Sequence, residues 1–194
     1  MANLQFITDQ LATGGDLPWH PEGAALAALR EWQELGVTHI VDNRLEWSDE
    51  DLVAEHAPGL HYLHNGVDDV GGRQPDEWFD RGSAWIRAAL EDPQAKVLVH
   101  CHMGINRGPS LALAALLDLG LDVIEAMDAV RTARPIAGLG YAEDALDWQH
   151  RRSGAGDDER RNDRRRLRAW RLEHPLDVVR IIRSIRDEEA EQAA

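Results

Sequence analysis

The stretch that decides the fold is Val97-Leu-Val-His-Cys-His-Met-Gly-Ile-Asn-Arg-Gly-Pro-Ser110, which has the pattern of a strand, a loop and the start of a helix. Three aliphatic residues open it, and a proline near its end is tolerated in the first turn of a helix. A strand that runs into a helix through a short loop presents free N–H groups and the positive end of the helix dipole at that loop. The pattern therefore predicts an anion-binding site within this stretch.

The side chains of Cys101 and Arg107 have the chemistry to act on a bound phosphate. Arg107 supplies a planar fork that binds two oxygens. Gly104 permits backbone torsions in the loop that a Cβ resists. In this field we expect a lowered pKa for the Cys101 thiol, roughly 3.5–7.5 as at similar positions, and a thiolate placed for in-line attack on phosphorus. A buried structural cysteine would explain neither Gly104 nor Arg107. The amides expected to surround the phosphate are those of His102, Met103, Gly104, Ile105, Asn106 and Arg107.

Outward from this loop, short apolar strands alternate with amphipathic helices. Strands are predicted at 4–7, 11–13, 37–41, 60–63 and 96–99. Helices are predicted at 24–35, 49–56, 76–90, 109–119, 122–134 and 141–150. Residues 66–75 are rich in glycine, and we expect them to form a mobile loop. The alternation indicates an α/β fold in which helices wrap a sheet.

Composition limits the classes of function. The 194 residues are 43% hydrophobic with a mean hydropathy of −0.45, as in soluble globular chains. No apolar run is long enough to span a bilayer and the first residues lack the features of a signal peptide, so we expect a cytoplasmic protein. A single cysteine cannot form an internal disulfide. The net charge of −14 divides into −16 over residues 1–150 and +2 over residues 151–194, and the acidic first part disfavours nucleic acid and anionic membranes as its partners.

The composition changes near residue 150. We expect residues 1–150 to form a catalytic domain and residues 151–194 to form an Arg-rich linker and a helical C-terminal extension. The mixed-charge run 157–166 has no apolar face, which is typical of a linker or a solvated helix. Apolar residues return from 167 to 185, and we expect one or two helices there that pack on the domain or on a second copy. A basic docking patch for an anionic partner is the alternative.

The motif His100-Cys101, five residues, then Arg107 resembles the signature of the cysteine-dependent protein phosphatases, and the chain is most similar to their dual-specificity group. Similar segments follow in the family's order at 7–15, 35–41, 62–69 and 130–148. The resemblance implies a central, mainly parallel sheet with helices on both sides. It implies that Cys101 is the nucleophile, that Arg107 binds phosphate and stabilises the transition state, and that His100 helps to hold the thiolate. No metal and no cofactor is implied.

Such a reaction needs an acid for the leaving oxygen, and a placed acid contributes roughly 10²–10⁴-fold. The segment between Gly66 and Gly72 supplies two carboxyl groups, Asp68 and Asp69. The family's acid falls on Asp69 by resemblance, and we favour it over Asp68. Two solvated turn carboxylates are the alternative.

The chain departs from the family at Gly108. Dual-specificity enzymes usually carry serine or threonine there, and the hydroxyl stabilises the cysteine thiolate as it leaves the phosphoenzyme. The departure puts the hydrolysis rate in doubt more than the reaction type. Ser110 lies two residues further on and is a second source of a hydroxyl.

Histidines and tryptophans need a separate interpretation. No carboxylate or cysteine completes a known ligand spacing around the histidines, so we expect no metal site. The histidines considered are His56, His61, His64, His100 and His102. We expect the tryptophans, including Trp19 and Trp47, to be core or rim aromatics.

The sequence thus predicts a phosphomonoester hydrolase of the protein-tyrosine or dual-specificity type that acts through a phosphocysteine intermediate. We expect its partner to be a phosphorylated protein or a small phosphomonoester, with self-association through the C-terminal helices as a further expectation. The absence of lysine from the loop disfavours multiply phosphorylated headgroups. The alternatives are a phosphate-binding pseudophosphatase and a rhodanese-like sulfurtransferase.

Overall fold

The computed structural model describes residues 3–19, 21 and 23–192, and their strands form a five-stranded sheet. The strands are β1 (Leu4–Phe6), β2 (Leu11–Gly14), β3 (His39–Arg44), β4 (His61–Val67) and β5 (Val97–His100). They are ordered β1-β2-β5-β3-β4, with β1 antiparallel to β2 and the other neighbours parallel. The prediction of a mainly parallel sheet is confirmed.

The helices lie on both faces of this sheet, as predicted. They are α1 (Ala24–Glu34), α2 (Glu50–His56), α3 (Asp76–Ala89), α4 (Arg107–Asp118), α5 (Val123–Ala133), α6 (Ala142–Ser153), α7 (Asp157–Glu173) and α8 (Val178–Gln192). One apolar cluster contains residues of α1 and α2, among them Trp32 and Val53. The other contains residues of α3 to α7, among them Phe79 and Trp148.

Strand β5 lies in the middle of the sheet because its side chains are apolar on both faces. Val97 and Val99 belong to the cluster of α3 to α7, whereas Leu98 belongs to the cluster of α1 and α2. All three side chains are fully buried. A strand that carries apolar side chains on both faces is typical of the centre of a parallel sheet.

Strands β3 and β4 extend further than the sequence predicted. β3 continues through Asp42, Asn43 and Arg44, which are buried although aspartate and asparagine are uncommon in strands. Arg44 holds this extension together, because its guanidinium donates to both carboxylate oxygens of Asp42 at 2.8 and 2.7 Å. β4 continues to Val67, which pairs with Arg44. Ion pairing within the strand and pairing with β4 therefore outweighed the low strand propensity of these residues.

The parallel register brings the carboxyl ends of four strands to one edge. Gly14 of β2 and Asp42 of β3 both pair with His100, the last residue of β5. The loops after β2, β5, β3 and β4 therefore lie side by side at this edge. Ligand sites of open α/β sheets lie at such an edge.

The charged run of the tail forms a helix rather than a linker. In α7, Leu167 and Trp170 are buried and belong to the cluster of α3 to α7. Arg166 pairs with Asp122 at 2.7 Å and Arg164 with Asp147 at 2.7 Å, so the charged face lies on the domain. None of the helices in the described part of the chain is long and apolar enough to cross a membrane.

Candidate functional site

The candidate nucleophile lies at the carboxyl end of the central strand. Cys101 follows β5 directly, is 2% exposed, and starts a loop that ends where α4 begins at Arg107. The loop carbonyl groups from His102 to Asn106 accept hydrogen bonds from outside the loop. The pairs are His102 O with Asp16 N (2.9 Å), Met103 O and Gly104 O with the Arg134 guanidinium (2.8 and 2.5 Å), Ile105 O with Gly138 N (2.6 Å), and Asn106 O with Ser110 N (2.9 Å).

The loop amides remain available for an anion because the carbonyls are bound on the outside. Within the described residues, the amides from His102 to Ile105 donate to no protein acceptor. The amides of Asn106 and Gly108 donate to Sγ of Cys101. Convergent backbone N–H groups at a helix N-terminus form an anion-binding nest. The predicted cradle and the predicted nucleophile therefore share one site.

Gly104 is required by the shape of this loop. Its φ is +64°, in the left-handed region, and a Cβ there would lie 2.5 Å from Arg134 Nη2 and from the carbonyl of Gly14. Both the torsion and the space exclude a side chain. This supports the interpretation of Gly104 as the residue that permits the turn.

Arg134 is a functional-site residue that the sequence analysis did not identify. It follows α5, is buried, and donates to two loop carbonyls and to Gln5 Oε1 and Asn3 Oδ1. Its guanidinium therefore contacts the loop on the side of the loop carbonyl groups. Only the motif Arg-Pro after a helix marked this position in the sequence, and it indicated a helix end rather than a contact.

Arg107 is held in place with one donor left over. Its Nη1 and Nη2 donate to the Glu46 carboxylate at 2.8 and 3.0 Å, and Nη1 also donates to Val67 O at 3.0 Å. Its Nε is buried, has no hydrogen-bond partner among the described residues, and lies 3.4 Å from Asp69 Oδ2. An unpartnered buried donor is costly in a protein interior and indicates a site for a ligand.

The expected lowering of the Cys101 pKa is wrong for this arrangement of side chains. Burial raises the pKa of the thiol, and neither the charge of Arg107 nor the two amides that donate to Sγ outweigh it. The charge of Asp69 adds to the effect of burial and further raises the pKa of the thiol. The Arg107 guanidinium, which lowers this pKa, is also paired with the Glu46 carboxylate.

The structure places Asp69, rather than Asp68, over the loop. Asp69 Oδ1 accepts from Asn106 Nδ2 at 2.5 Å and from the Tyr141 hydroxyl at 2.7 Å. Asp68 contacts the fold through its main-chain carbonyl, which accepts from Gln74 Nε2 at 2.9 Å. Asp69 therefore lies beside Cys101 and Arg107 although it is distant in sequence.

Asn106 joins the loop to two other segments. Its Nδ2 donates to Asp69, and its Oδ1 accepts from Gly140 N at 2.6 Å. Tyr141 follows Gly140, so both donors to Asp69 are fixed by the segment before α6. Burial and the hydrogen bond to Asp69 raise the pKa of Tyr141 to about 12. Its hydroxyl is therefore a donor at neutral pH.

The contacts of His100 and Ser110 are with Trp32 and Tyr141, and their expected roles at the thiolate stay predictions. His100 is fully buried, its ring packs on Trp32 at 5.5 Å, and neither ring nitrogen has a hydrogen-bond partner in the described chain. Burial lowers the pKa of His100. The Ser110 hydroxyl accepts from Tyr141 N at 3.3 Å. At position 108, the donor to Sγ is the backbone amide of Gly108.

His102 lies at the rim of the site. Its Nδ1 is 2.8 Å from Asp16 Oδ2, and this hydrogen bond raises the pKa of His102. Among the described residues, no three His, Cys, Asp or Glu side chains are grouped to hold a metal ion. The donor set is instead suited to an anion.

Solved structures share this fold. Human DUSP28 superposes with a TM-score of 0.63 at 22% identity, covering 79% of this chain and 97% of that one. A mouse putative dual specificity phosphatase complexed with zinc tungstate superposes with a TM-score of 0.64 at 22% identity, covering 79% and 91%. At this level of identity the likeness concerns the fold alone.

Sequence comparisons identify the family. Human dual specificity protein phosphatase 13B is 34% identical over 106 residues, 53% of this chain and 54% of the relative. Human dual specificity protein phosphatase 26 is 32% identical over 109 residues, 55% of this chain and 51% of the relative. The chain thus spans about half the length of the curated relatives it matches. The family model for the dual specificity phosphatase catalytic domain matches residues 23–149, and the chain belongs to that family.

Proposed function

We propose that the protein hydrolyses phosphate monoesters through a phosphocysteine intermediate at Cys101. The observation that carries the proposal is the set of loop amides beside Cys101 that have no protein acceptor, together with the buried Nε of Arg107, which makes no hydrogen bond within the described residues. This arrangement presents fixed donors to a phosphate, and donors fixed before the reaction need no reorganisation as charge develops.

In the first step the Cys101 thiolate attacks phosphorus in line with the leaving oxygen. The P–O bond to that oxygen breaks, and the oxygen takes a proton from Asp69. Arg107 and the loop amides bind the three remaining oxygens. In the second step water attacks phosphorus, gives a proton to the Asp69 carboxylate, and the S–P bond breaks to return the thiolate.

Asp69 must be protonated when substrate is bound for this sequence to run. Its neighbours in the structure are Arg107, Asn106 and Tyr141, which hold the Asp69 side chain beside the phosphate loop. This position lets the carboxyl group reach the leaving oxygen of a phosphate bound in the loop. The same carboxylate then serves as the base in the second step.

The chemistry of the loop and rim favours a singly phosphorylated substrate. The loop contains no lysine, and the carboxylates of Asp16, Glu46 and Asp69 lie around it. A second phosphate near the mouth would meet these negative charges. We propose phosphorylated protein side chains or small phosphomonoesters as substrates; a cytoplasmic location and self-association of the tail stay predictions.

Replacing the nucleophile tests the function. Cys101→Ser should abolish hydrolysis of para-nitrophenyl phosphate and retain binding of a phosphate analogue, because serine fills similar space but is a far poorer nucleophile. Arg107→Lys should also lose activity, since an ammonium cannot reproduce the bidentate fork. Measurable turnover by a pure Cys101→Ser protein would refute the mechanism.

The same assays separate the other functions. A pseudophosphatase would bind phosphate without turnover in the wild-type chain. A sulfurtransferase would transfer sulfur from thiosulfate and leave para-nitrophenyl phosphate intact. We expect hydrolysis of the phosphate ester and no transfer from thiosulfate.

A further inference from the structure

Two tryptophans lie at the mouth of the candidate site. Trp19 is 66% exposed, whereas Trp32, Trp78, Trp148 and Trp170 are buried. Its ring contacts Trp47, with centroids 5.0 Å apart at an angle of 78°. Aromatic side chains that lie together at the surface form a contiguous apolar patch, and such patches mark ligand-binding sites in many proteins.

The sheet topology places both tryptophans next to the phosphate loop. Trp19 belongs to the segment after β2, and Trp47 to the segment after β3. β2 and β3 are the two neighbours of β5 in the sheet. Trp19 and Trp47 touch each other, so the segments after β2 and β3 meet through these two rings beside the segment that follows β5.

Trp47 is tied to the loop at two points. Its ring lies 5.3 Å from the His102 ring, and His102 is the residue after Cys101. Its neighbour Glu46 holds both Nη atoms of Arg107. The Trp47 ring therefore contacts the first part of the loop, and the residue before it contacts Arg107 at the end of the loop.

Trp47 is also fixed before any ligand arrives. The Arg44 guanidinium lies 5.2 Å above its ring, and Arg44 is itself buried and paired with Asp42, Asp49 and Asp16. Trp19 and His102 pack against it from other sides. A rigid aromatic ring loses little entropy on binding, which favours it as a contact surface.

We propose that Trp19 and Trp47 form an aryl-binding wall that selects phosphate esters of aromatic alcohols over those of aliphatic ones. The inference rests on the proposed function, which puts the phosphate in the loop and directs the leaving group to the mouth. An aryl ring on the phosphate oxygen presents a flat apolar face that can stack on such a wall, whereas a short alkyl chain offers it little surface. The neighbouring carboxylates Glu46 and Asp16 disfavour an anionic group in the same place.

Binding of two phosphonates to the full chain tests the wall without relying on turnover. Dissociation constants are measured by calorimetry for benzylphosphonate and propylphosphonate, which share the phosphonate and differ in the ring. Trp47→Ala and Trp19→Ala should each reduce the preference for the benzyl compound roughly three- to tenfold, with propylphosphonate affinity unchanged. Trp47→Phe should restore most of the preference.

Trp85→Ala is the matched control. Trp85 is half-buried and packs edge-on against His39 at 5.1 Å, as Trp47 packs against His102, but it lies at the opposite end of β3. It should keep the wild-type preference. Trp19 is mostly exposed, so we expect Trp19→Ala to fold. If Trp47→Ala does not fold, the result for Trp19→Ala alone decides the test.

The outcomes for the wall and for the reaction are distinct. An unchanged benzyl-to-propyl ratio in Trp19→Ala, in a protein that still hydrolyses phosphate esters, would overturn the wall alone. Failure of the wild-type chain to hydrolyse any phosphate ester would overturn the proposed function. A ratio that falls in the tryptophan variants and not in Trp85→Ala supports the wall.

Discussion

At the scale of single residues, Gly108 replaces the serine or threonine that is usual in the family and allows close packing of α4 against β5. A Cβ there would lie 3.0 Å from Val99 O, 3.1 Å from His100 C and 3.2 Å from Cys101 N. All three neighbours are backbone atoms of the strand and loop, which cannot move as a side-chain end can. Glycine therefore lets α4 approach β5 closely, and its amide donates to Sγ where a hydroxyl is absent.

This arrangement predicts a burst. Without a hydroxyl beside Sγ, the thiolate of the phosphocysteine is less stabilised as it leaves, so breakdown should be slower than formation. With an activated aryl phosphate, stopped-flow should show a rapid first turnover near one equivalent of Cys101 and then a slower steady state.

Two substitutions at position 108 distinguish the effect of a hydroxyl on the rate from the effect of the added Cβ. Gly108→Ser and Gly108→Ala place the same Cβ against the backbone, but only serine adds a hydroxyl. Serine should give the faster steady state and the smaller burst of the pair. A linear wild-type time course, together with equal rates for the two variants, would contradict this account.

The acid is the second prediction at this scale. Asp69→Asn should slow hydrolysis of phenyl phosphate strongly and of para-nitrophenyl phosphate much less, since the poorer leaving group needs the proton more. Tyr141→Phe should show the same pattern at about a tenfold loss, because it removes a hydrogen bond that positions Asp69. Asp68→Asn is the matched control and should keep wild-type rates. If Asp68→Asn has the larger effect, Asp68 is the acid.

The same variant tests the thiol. Because the Asp69 charge raises the pKa of Cys101, Asp69→Asn should lower it. The rate of Cys101 alkylation by iodoacetamide against pH measures this shift. Asp68→Asn should leave that profile unchanged.

The sequence could predict residues that the loop motif itself contains, and not those that reach it from elsewhere. Cys101, Gly104 and Arg107 are local, and their spacing fixes their geometry. Glu46 and Arg134 act on the loop from distant segments. Their approach depends on strand order and helix packing, which no local pattern encodes.

At the scale of elements, β3 carries a buried polar end that supports the rim. Asp42 accepts from Arg44 and from the Tyr62 hydroxyl at 2.5 Å, and its side chain is fully buried. Burial raises the pKa of Asp42, but His100, Arg44 and Tyr62 outweigh it and lower the pKa from 3.8 to about 2.

Acid should therefore weaken the fold through Asp42. A carboxyl with a lowered folded-state pKa stabilises the fold above its unfolded pKa of 3.8, and this contribution is lost as the pH falls toward 2. The shift corresponds to about 2 kcal/mol. Urea unfolding from pH 6 to pH 2 should show a smaller loss of stability for Asp42→Asn than for the wild type. An equal loss in both proteins would place the acid sensitivity elsewhere.

The elements also show why the strand ends were misjudged. Asp42, Asn43 and Arg44 disfavour a strand when judged by propensity, so the predicted strand stopped at residue 41. Their pairing with one another and with the neighbouring strand made the extension stable. Apolar elements such as β5 and α4 carried their own signal and were predicted within a few residues.

At the scale of the whole molecule, α7 links the tail to the body by two kinds of contact. Its arginines pair with carboxylates of α5 and α6 that are partly exposed, for example Arg166 with Asp122 and Arg164 with Asp147. Exposed ion pairs stabilise a fold by only about 0–1 kcal/mol each. The apolar contacts are different, because Leu167 is 0% exposed within the main cluster.

We therefore expect burial, rather than charge, to hold α7 in place. Leu167→Ala should lower the free energy of unfolding by about 2–5 kcal/mol, the usual range for a buried leucine. Leu172→Ala is the same substitution in the same helix at a site that is 83% exposed, and it should change stability little. Urea unfolding in low and in high salt measures both, and the loss in Leu167→Ala should not depend on salt. If both variants were equally stable and salt alone released the helix, ion pairs would be the main attachment and residues 157–173 would behave as a solvated extension.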